Sequence, residues 1–88
     1  MQQKQATIIN PTGLHARPAA DFVAMAKRYK SRITVGRPDE LPVNAKSIIM
    51  LMSGAFTQGE QIVITATGED EQQAAQALAE LVATGFGE

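Results

Sequence analysis

The sequence has no cysteine and no tryptophan, and it contains a single histidine, one tyrosine and three phenylalanines among 88 residues. The lack of cysteine excludes disulfides, zinc–thiolate sites, iron–sulfur clusters and thiol nucleophiles. No apolar run exceeds five residues, and residues 1 to 5 carry no apolar segment after their charge. Both membrane spans and secretory signals need longer apolar runs. We therefore expect a soluble, cytoplasmic protein that does not insert into a membrane.

Charge of either sign is balanced, with eight basic and nine acidic residues and a net charge of −1. The cations are dispersed apart from a loose cluster at residues 27 to 32, where a helix is predicted to end and basic side chains complement its dipole. No aromatic residues are interleaved with them as a stacking platform. Nucleic-acid binding is therefore not expected.

The length of 88 residues predicts a single domain, residues 1 to 88, with one core and little room for a deep, water-excluded pocket. A chain of this size more often presents a functional site on its surface than encloses a reaction. This disfavours a self-contained metabolic enzyme.

Periodicity and turn residues predict alternating strands and helices. The predicted strands are residues 4 to 9, 32 to 35, 41 to 43 and 61 to 67, and the predicted helices run from Pro18 to about residue 30, from Ser47 to Gly54, and from Asp70 to Gly85. The order is strand, helix, strand, strand, helix, strand, helix. Because so short a chain has no room for several full crossovers, we expect one antiparallel sheet covered on one face by helices, a two-layer α/β sandwich.

Two helix starts carry recognisable capping residues. Ser47 precedes an apolar run and is a good N-cap. Asp70, with Gln73 three residues later, resembles a capping box.

The only histidine, His15, lies just before the first predicted helix. The unpaired amide groups of a helix start favour negative charge and disfavour an imidazolium. An imidazole at this place keeps a ring nitrogen lone pair, which is what attack on phosphorus requires. Arg17 can supply a planar guanidinium for bidentate contact with phosphate. A nucleophile, an anion cradle and a cation therefore fall within three residues.

Other interpretations of the same residues stay open. A lone histidine before a helix is often a cap or a solvated side chain. A metal site would have only Asp21 as a neighbouring ligand, and no Gly-x-Ser-x-Gly elbow is present for a hydrolase. Ser47 is by default a simple helix cap. The apolar residues 48 to 52 would ordinarily be core, but the helix is too short to bury them all, so part of the run is expected to form a docking surface.

Two segments together resemble the HPr family, the histidine-containing phosphocarriers of the bacterial phosphoenolpyruvate-dependent phosphotransferase system. Residues 13 to 19, Gly-Leu-His-Ala-Arg-Pro-Ala, resemble its active-site signature, and residues 44 to 53, Asn-Ala-Lys-Ser-Ile-Ile-Met-Leu-Met-Ser, resemble its second signature. The resemblance covers essentially the whole chain. It implies an open-faced β-sandwich with four antiparallel strands and three helices on one face.

The resemblance also implies a carrier role, without turnover of a small substrate and without a cofactor or metal. Phosphorylated enzyme I would transfer the phosphoryl group to Nδ1 of His15, next to Arg17, and a monomeric carrier would pass it to an enzyme IIA domain. By the same resemblance, Ser47 matches the site that an HPr kinase/phosphorylase modifies in some bacteria. The implied partner-docking surface consists of Ala16, Ala20, Ile48, Ile49 and Met52.

The chain departs from the common sugar-system forms in the turn at residues 36 to 42, which is about one residue longer. This turn and the C-terminal tail are somewhat like those of the nitrogen-branch relatives, so the sequence does not decide between the sugar and nitrogen branches. Domains of this type also occur within longer fused phosphotransfer proteins, and that alternative stays open as well. A second hypothesis is an allosteric binding module acting through Ser47 and residues 48 to 52. The two differ in whether partner binding depends on His15.

Overall fold

The structure, a computed structural model, describes all 88 residues. The strands are β1 (Gln2–Thr7), β2 (Arg32–Gly36), β3 (Val43–Asn44) and β4 (Gln61–Thr67), and the helices are α1 (Arg17–Lys27), α2 (Ile48–Ser53) and α3 (Glu71–Ala83), followed by a 3₁₀ turn at Gly85–Gly87. The strands form one sheet in the order β1-β4-β2-β3, and every neighbouring pair is antiparallel. The predicted two-layer architecture and element order are confirmed.

The core lies between one face of the sheet and the helices. Ile62, Ile64 and Ala66 of β4 are fully buried, whereas the alternating residues Val63 and Thr65 face the other side and are partly exposed. This period of two places every second β4 side chain against the helical layer. The opposite face carries no helix, so the sandwich is open.

Helix α1 buries one stripe against this core. Its buried residues are Pro18, Ala19, Phe22, Val23 and Ala26. Pro18 occupies the first turn, where its missing N–H costs no intrahelical hydrogen bond. The helix contacts both α2 and α3.

Three predicted boundaries shift by a few residues. β1 begins and ends two residues before the predicted 4 to 9, and α1 ends at Lys27 and not near residue 30. Ile8 leaves the β1 ladder, although its N–H still donates to the Glu60 carbonyl over 2.9 Å. The third short strand falls on Val43–Asn44 because Pro42 lacks a donor for the ladder.

The predicted capping box at Asp70 is wrong. Asp70 stands at the N-cap of α3, but its side chain makes no capping hydrogen bond. Its carboxylate accepts instead from the Ser31 hydroxyl (2.5 Å), the Ser31 N–H (2.9 Å) and the Lys30 N–H (2.9 Å). The hydroxyl and amide donors hold the pKa of Asp70 at about 2. A long-range clamp on the α1–β2 connection has taken the place of the local cap.

None of the helices combines the length and the apolar character needed to cross a bilayer.

Candidate functional site: the His15 loop and the exposed face of α2

The His15 loop, residues 8 to 16, connects β1 to α1 and is anchored from within. Asn10 is buried, its Nδ2 donates to the Gly13 carbonyl over 2.9 Å, and its own carbonyl accepts from the Gly13 N–H over 3.2 Å. Gly13 has a φ of +68°, which favours glycine. These bonds form a tight turn immediately before Leu14 and His15.

Leu14 fastens the loop to the rest of the molecule. Its side chain is buried in the core, and its N–H donates to the Phe56 carbonyl over 3.0 Å. The next side chain, His15, is exposed. Because Leu14 is buried and the next residue is exposed, the backbone at His15 is anchored while its imidazole faces solvent.

Ala16 turns the chain from the loop into α1 with φ 54° and ψ −124°. Positive φ is uncommon for a residue other than glycine, and such strain is maintained only where the surrounding structure determines it. No side chain caps this end of the helix. The amide groups of the first turn are therefore open to an external acceptor beside His15.

Arg17 is the first residue of α1, and its side chain is 84% exposed. Its Nε lies 3.8 Å from an Asp21 carboxylate oxygen, a loose contact between exposed groups that contributes little to stability. The guanidinium is therefore free to turn toward an anion at the helix start.

A carboxylate that the sequence analysis did not identify lies against the His15 loop. Glu88 Oε1 accepts from the Thr12 hydroxyl over 2.8 Å and from Asn10 Nδ2 over 3.1 Å. These hydrogen bonds, from Thr12 first and Asn10 second, lower the pKa of Glu88, and the charge of Arg17 adds to the effect. Residues 76 positions apart in sequence meet here, and no local pattern could have indicated the pairing.

Helix α2 presents an apolar patch, defined as Ile48, Ile49 and Met50, with 39%, 77% and 46% of each residue exposed. Leu51 is fully buried. Thus the expectation that this short helix leaves part of its apolar run in solvent is confirmed. Met52, which the resemblance assigns to the docking surface, is half-buried and packs against the core, whereas Met50, which it does not name, is exposed.

Ser47 is the N-cap of α2, as predicted, and its Oγ accepts from the Met50 N–H over 3.3 Å. The residue is partly exposed and adjoins the apolar patch. Ala16 and Ala20, the other two predicted docking residues, are exposed, Ala16 at the N-cap of α1 and Ala20 within the helix. Helix α1 contacts α2.

No group of three or more histidine, aspartate or glutamate side chains is arranged to hold a metal ion.

Comparison with known proteins places this geometry in a family. The family model described as "PTS HPr component phosphorylation site" matches residues 2–84. The phosphocarrier protein HPr of Lysinibacillus sphaericus is 46% identical over 82 residues, which cover 93% of this chain and 92% of that protein. A crystal structure of HPr from Thermoanaerobacter tengcongensis superposes with a TM-score of 0.94 at 44% identity, covering 100% of this chain and 98% of that one.

The same sequence pattern also occurs within a longer relative. The multiphosphoryl transfer protein of Haemophilus influenzae is 41% identical over 85 residues, which cover 93% of this chain but 17% of that protein. The match to the family model and the near-complete coverage of the shorter relatives agree with the anchored loop, the exposed histidine and the open-faced sandwich. The chain belongs to the HPr family of phosphocarrier proteins of the phosphotransferase system.

Proposed function

We propose that His15 accepts a phosphoryl group from phosphorylated enzyme I and passes it to an enzyme IIA domain. The observation that carries the proposal is an exposed imidazole directly before the uncapped start of α1 and two residues from the unburied guanidinium of Arg17. Surface exposure is what a carrier needs, because two successive partners must reach the same nitrogen.

In the proposed transfer, a lone pair on Nδ1 of His15 attacks phosphorus. The N–P bond forms as the bond from phosphorus to the donor breaks, and that electron pair returns to the donor. The incoming oxygens are negative, so the open amide groups of the first turn of α1 and the Arg17 guanidinium stabilise them. Onward transfer repeats the same exchange with the acceptor as nucleophile.

The apolar patch, together with Ala16, Ala20 and Met52, is the proposed docking surface for enzyme I and enzyme IIA. Its methionine side chains adapt to partners of different shape, and its isoleucines supply apolar area. Because the carrier has to leave each partner after transfer, we expect a small, transient interface and a monomeric, single-domain carrier at work in the cytoplasm.

Ser47 is a proposed regulatory site for an HPr kinase/phosphorylase. A phosphate there adds about −1.5 to −2 charges directly beside Ile48. Burying that charge in an apolar interface is unfavourable, so modification would weaken docking without unfolding α2.

The direct test incubates the purified chain with enzyme I and phosphoenolpyruvate and follows intact mass. We expect one acid-labile phosphoryl group on the wild type and none on His15→Ala. Arg17→Ala should slow the transfer, whereas Arg32→Ala removes another exposed arginine, at the start of β2, and should not. An unmodified wild-type mass with enzymes I of both the sugar and nitrogen branches would count decisively against the proposal.

A second candidate function, an allosteric binding module, is favoured by the position of Ser47 beside the apolar patch. It predicts a partner protein whose affinity changes on phosphorylation of Ser47 and is indifferent to His15→Ala. Measuring the affinity of such a partner for the Ser47-phosphorylated protein and for His15→Ala, each against the unmodified wild type, separates the two functions.

A further inference from the structure

The turn between β2 and β3 places Arg37 at the centre of a contact network. Arg37 Nε and Nη2 donate to the two Glu60 carboxylate oxygens over 2.5 and 3.0 Å, and Nη2 also donates to the Ala55 carbonyl over 2.9 Å. The guanidinium lies over the Phe56 ring, with Cζ 4.7 Å from its centroid. The planar guanidinium of arginine can bind both oxygens of a carboxylate, a backbone carbonyl and an aromatic face at once. A lysine ammonium cannot make this set of contacts.

Glu60 extends the network along the segment that Arg37 holds. Its Oε2 accepts from the Thr57 N–H over 2.6 Å and from the Thr57 hydroxyl over 3.0 Å. The Arg37 guanidinium first, and the Thr57 amide second, lower the pKa of Glu60 to about 2, so the carboxylate stays charged at neutral pH. The hydrogen bonds from Arg37 to Ala55 and Glu60 thus fix residues 55 to 60, here called the support segment.

The support segment is what the His15 loop rests on. The Phe56 carbonyl accepts from the Leu14 N–H over 3.0 Å, and a Cβ at Gly13 would lie 2.9 Å from Thr57 Cα and closer still to the Phe56 oxygen. The segment also meets the start of the loop, where the Gly59 N–H donates to the Ile8 carbonyl over 2.7 Å. The backbone position of Phe56 therefore determines how far Leu14, and with it His15, stands from the core.

We propose that Arg37 is a positioning residue for phosphoryl transfer, which holds the support segment so that the Phe56 carbonyl fixes Leu14 and presents His15. The inference rests on the proposed function of His15. Arg37 touches neither phosphate nor partner in this scheme. It acts through two hydrogen bonds to neighbouring backbone carbonyls: its own to Ala55, and the one that the Phe56 carbonyl accepts from the Leu14 N–H.

The competing explanation is that Arg37 only stabilises the fold, and the burial and partners of the Arg37–Glu60 pair distinguish the two. The side chains of Arg37 and Glu60 are only 25% and 28% exposed, so the forked pair contributes to stability, but all of the hydrogen bonds that the Arg37 side chain makes go to the support segment. The consequence of losing the pair should therefore fall on the local geometry of the His15 loop. Transfer chemistry is sensitive to such a change, since about 1 Å of misplacement can lower a rate by about 100-fold.

The experiment compares single-turnover phosphorylation in Arg37→Met, Arg37→Lys and Asp70→Asn over a range of concentrations of phosphorylated enzyme I up to saturation. Arg37→Met keeps an apolar stem over Phe56 and removes the fork, and we expect a rate loss of roughly tenfold with little change in donor KM. Arg37→Lys should recover only part of the rate, because one ammonium cannot reproduce the fork. Asp70→Asn weakens a comparable clamp at the far end of α1 and should keep the wild-type rate.

The amide signal of Leu14 and the ring signals of His15, measured by NMR on the unphosphorylated protein, provide a readout independent of transfer. We expect both to shift in Arg37→Met and neither to shift in Asp70→Asn. Should Arg37→Met fold poorly, Glu60→Gln removes the same pairing with little change of shape and should act in the same direction.

The proposal is overturned if folded Arg37→Met transfers at the wild-type rate, if Leu14 and His15 signals stay unmoved, or if Asp70→Asn slows transfer equally. Failure of the proposed function itself is distinguishable, because the wild type would then accept no phosphoryl group while the NMR shifts still report the positioning link.

Discussion

Replacing Gly13 with alanine would place a methyl group where the support segment already lies. The new Cβ would stand 2.9 Å from Thr57 Cα, inside van der Waals contact, and closer still to the Phe56 carbonyl oxygen. The φ of +68° is itself unfavourable for alanine. The loop can relieve the clash only by moving away from Phe56, which breaks the hydrogen bond from Leu14.

The magnitude follows from two contributions. A left-handed backbone conformation costs an ordinary residue about 1–2 kcal/mol, and insertion of a methyl group into a filled space costs about 1–3 kcal/mol more. Gly13→Ala should therefore lower the free energy of unfolding by about 2–5 kcal/mol, a large fraction of the total for a domain. Gly59→Ala is a matched control, because Gly59 has φ +91° and a Cβ there would have no neighbour within 4 Å.

Urea unfolding of both variants measures the difference. The φ of Gly59 is no easier for alanine than that of Gly13, so any excess loss in Gly13→Ala is a lower bound on the clash. We expect an excess of about 1–3 kcal/mol, together with slower phosphorylation of His15 in Gly13→Ala alone. Equal destabilisation of the two variants, with equal transfer rates, would refute the claim that the loop rests on the Phe56 backbone.

Three further predictions concern the clamp, the cap and the patch. The pKa of Asp70 is lowered from 3.8 to about 2, so the stability that its carboxylate contributes is present above pH 3.8 and is lost as the pH falls toward 2. In this pH range the free energy of unfolding of Asp70→Asn should therefore fall less steeply with decreasing pH than that of the wild type. An equal slope for both proteins would contradict the clamp. Ser47→Ala removes the acceptor for a first-turn amide of α2 and should lower the free energy of unfolding by about 1 kcal/mol, whereas no loss in urea unfolding would exclude a capping role. Ile49→Asp should raise the KM for phosphorylated enzyme I at least several-fold. Leu41→Asp is the control, because Leu41 is 92% exposed and lies outside the patch, and it should leave the KM unchanged. Similar KM values for the two variants would show that the patch is not part of the docking surface.

The fold could be predicted largely because its local signals agree with its tertiary structure. The alternation in β4 predicted its bounds correctly, and Ser47 acts as the predicted cap. Asp70 shows where this reasoning ends. Its sequence context is that of a capping box, but the Ser31 hydroxyl and two backbone amides, about forty residues away in sequence, compete successfully for the same carboxylate.

The candidate site was predictable to a similar extent. His15 and Arg17 were proposed as site residues because a histidine, a cation and a predicted helix start are neighbours in sequence, and the structure leaves both side chains exposed. The positive φ of Ala16 was not predicted. The Glu88 contact and the Arg37 network were missed as well. Each depends on where distant segments meet, and a single sequence does not report those distances.

The central claim is that His15 itself carries the phosphoryl group. The most direct measurement is NMR of the chain after phosphorylation by enzyme I and phosphoenolpyruvate, with observation of the coupling between phosphorus and the imidazole protons. The account predicts one phosphorus signal coupled to the His15 ring through Nδ1, and its disappearance when an enzyme IIA domain is added. A phosphorus signal on any other residue, or a ring that stays unmodified in the presence of active enzyme I, would contradict it.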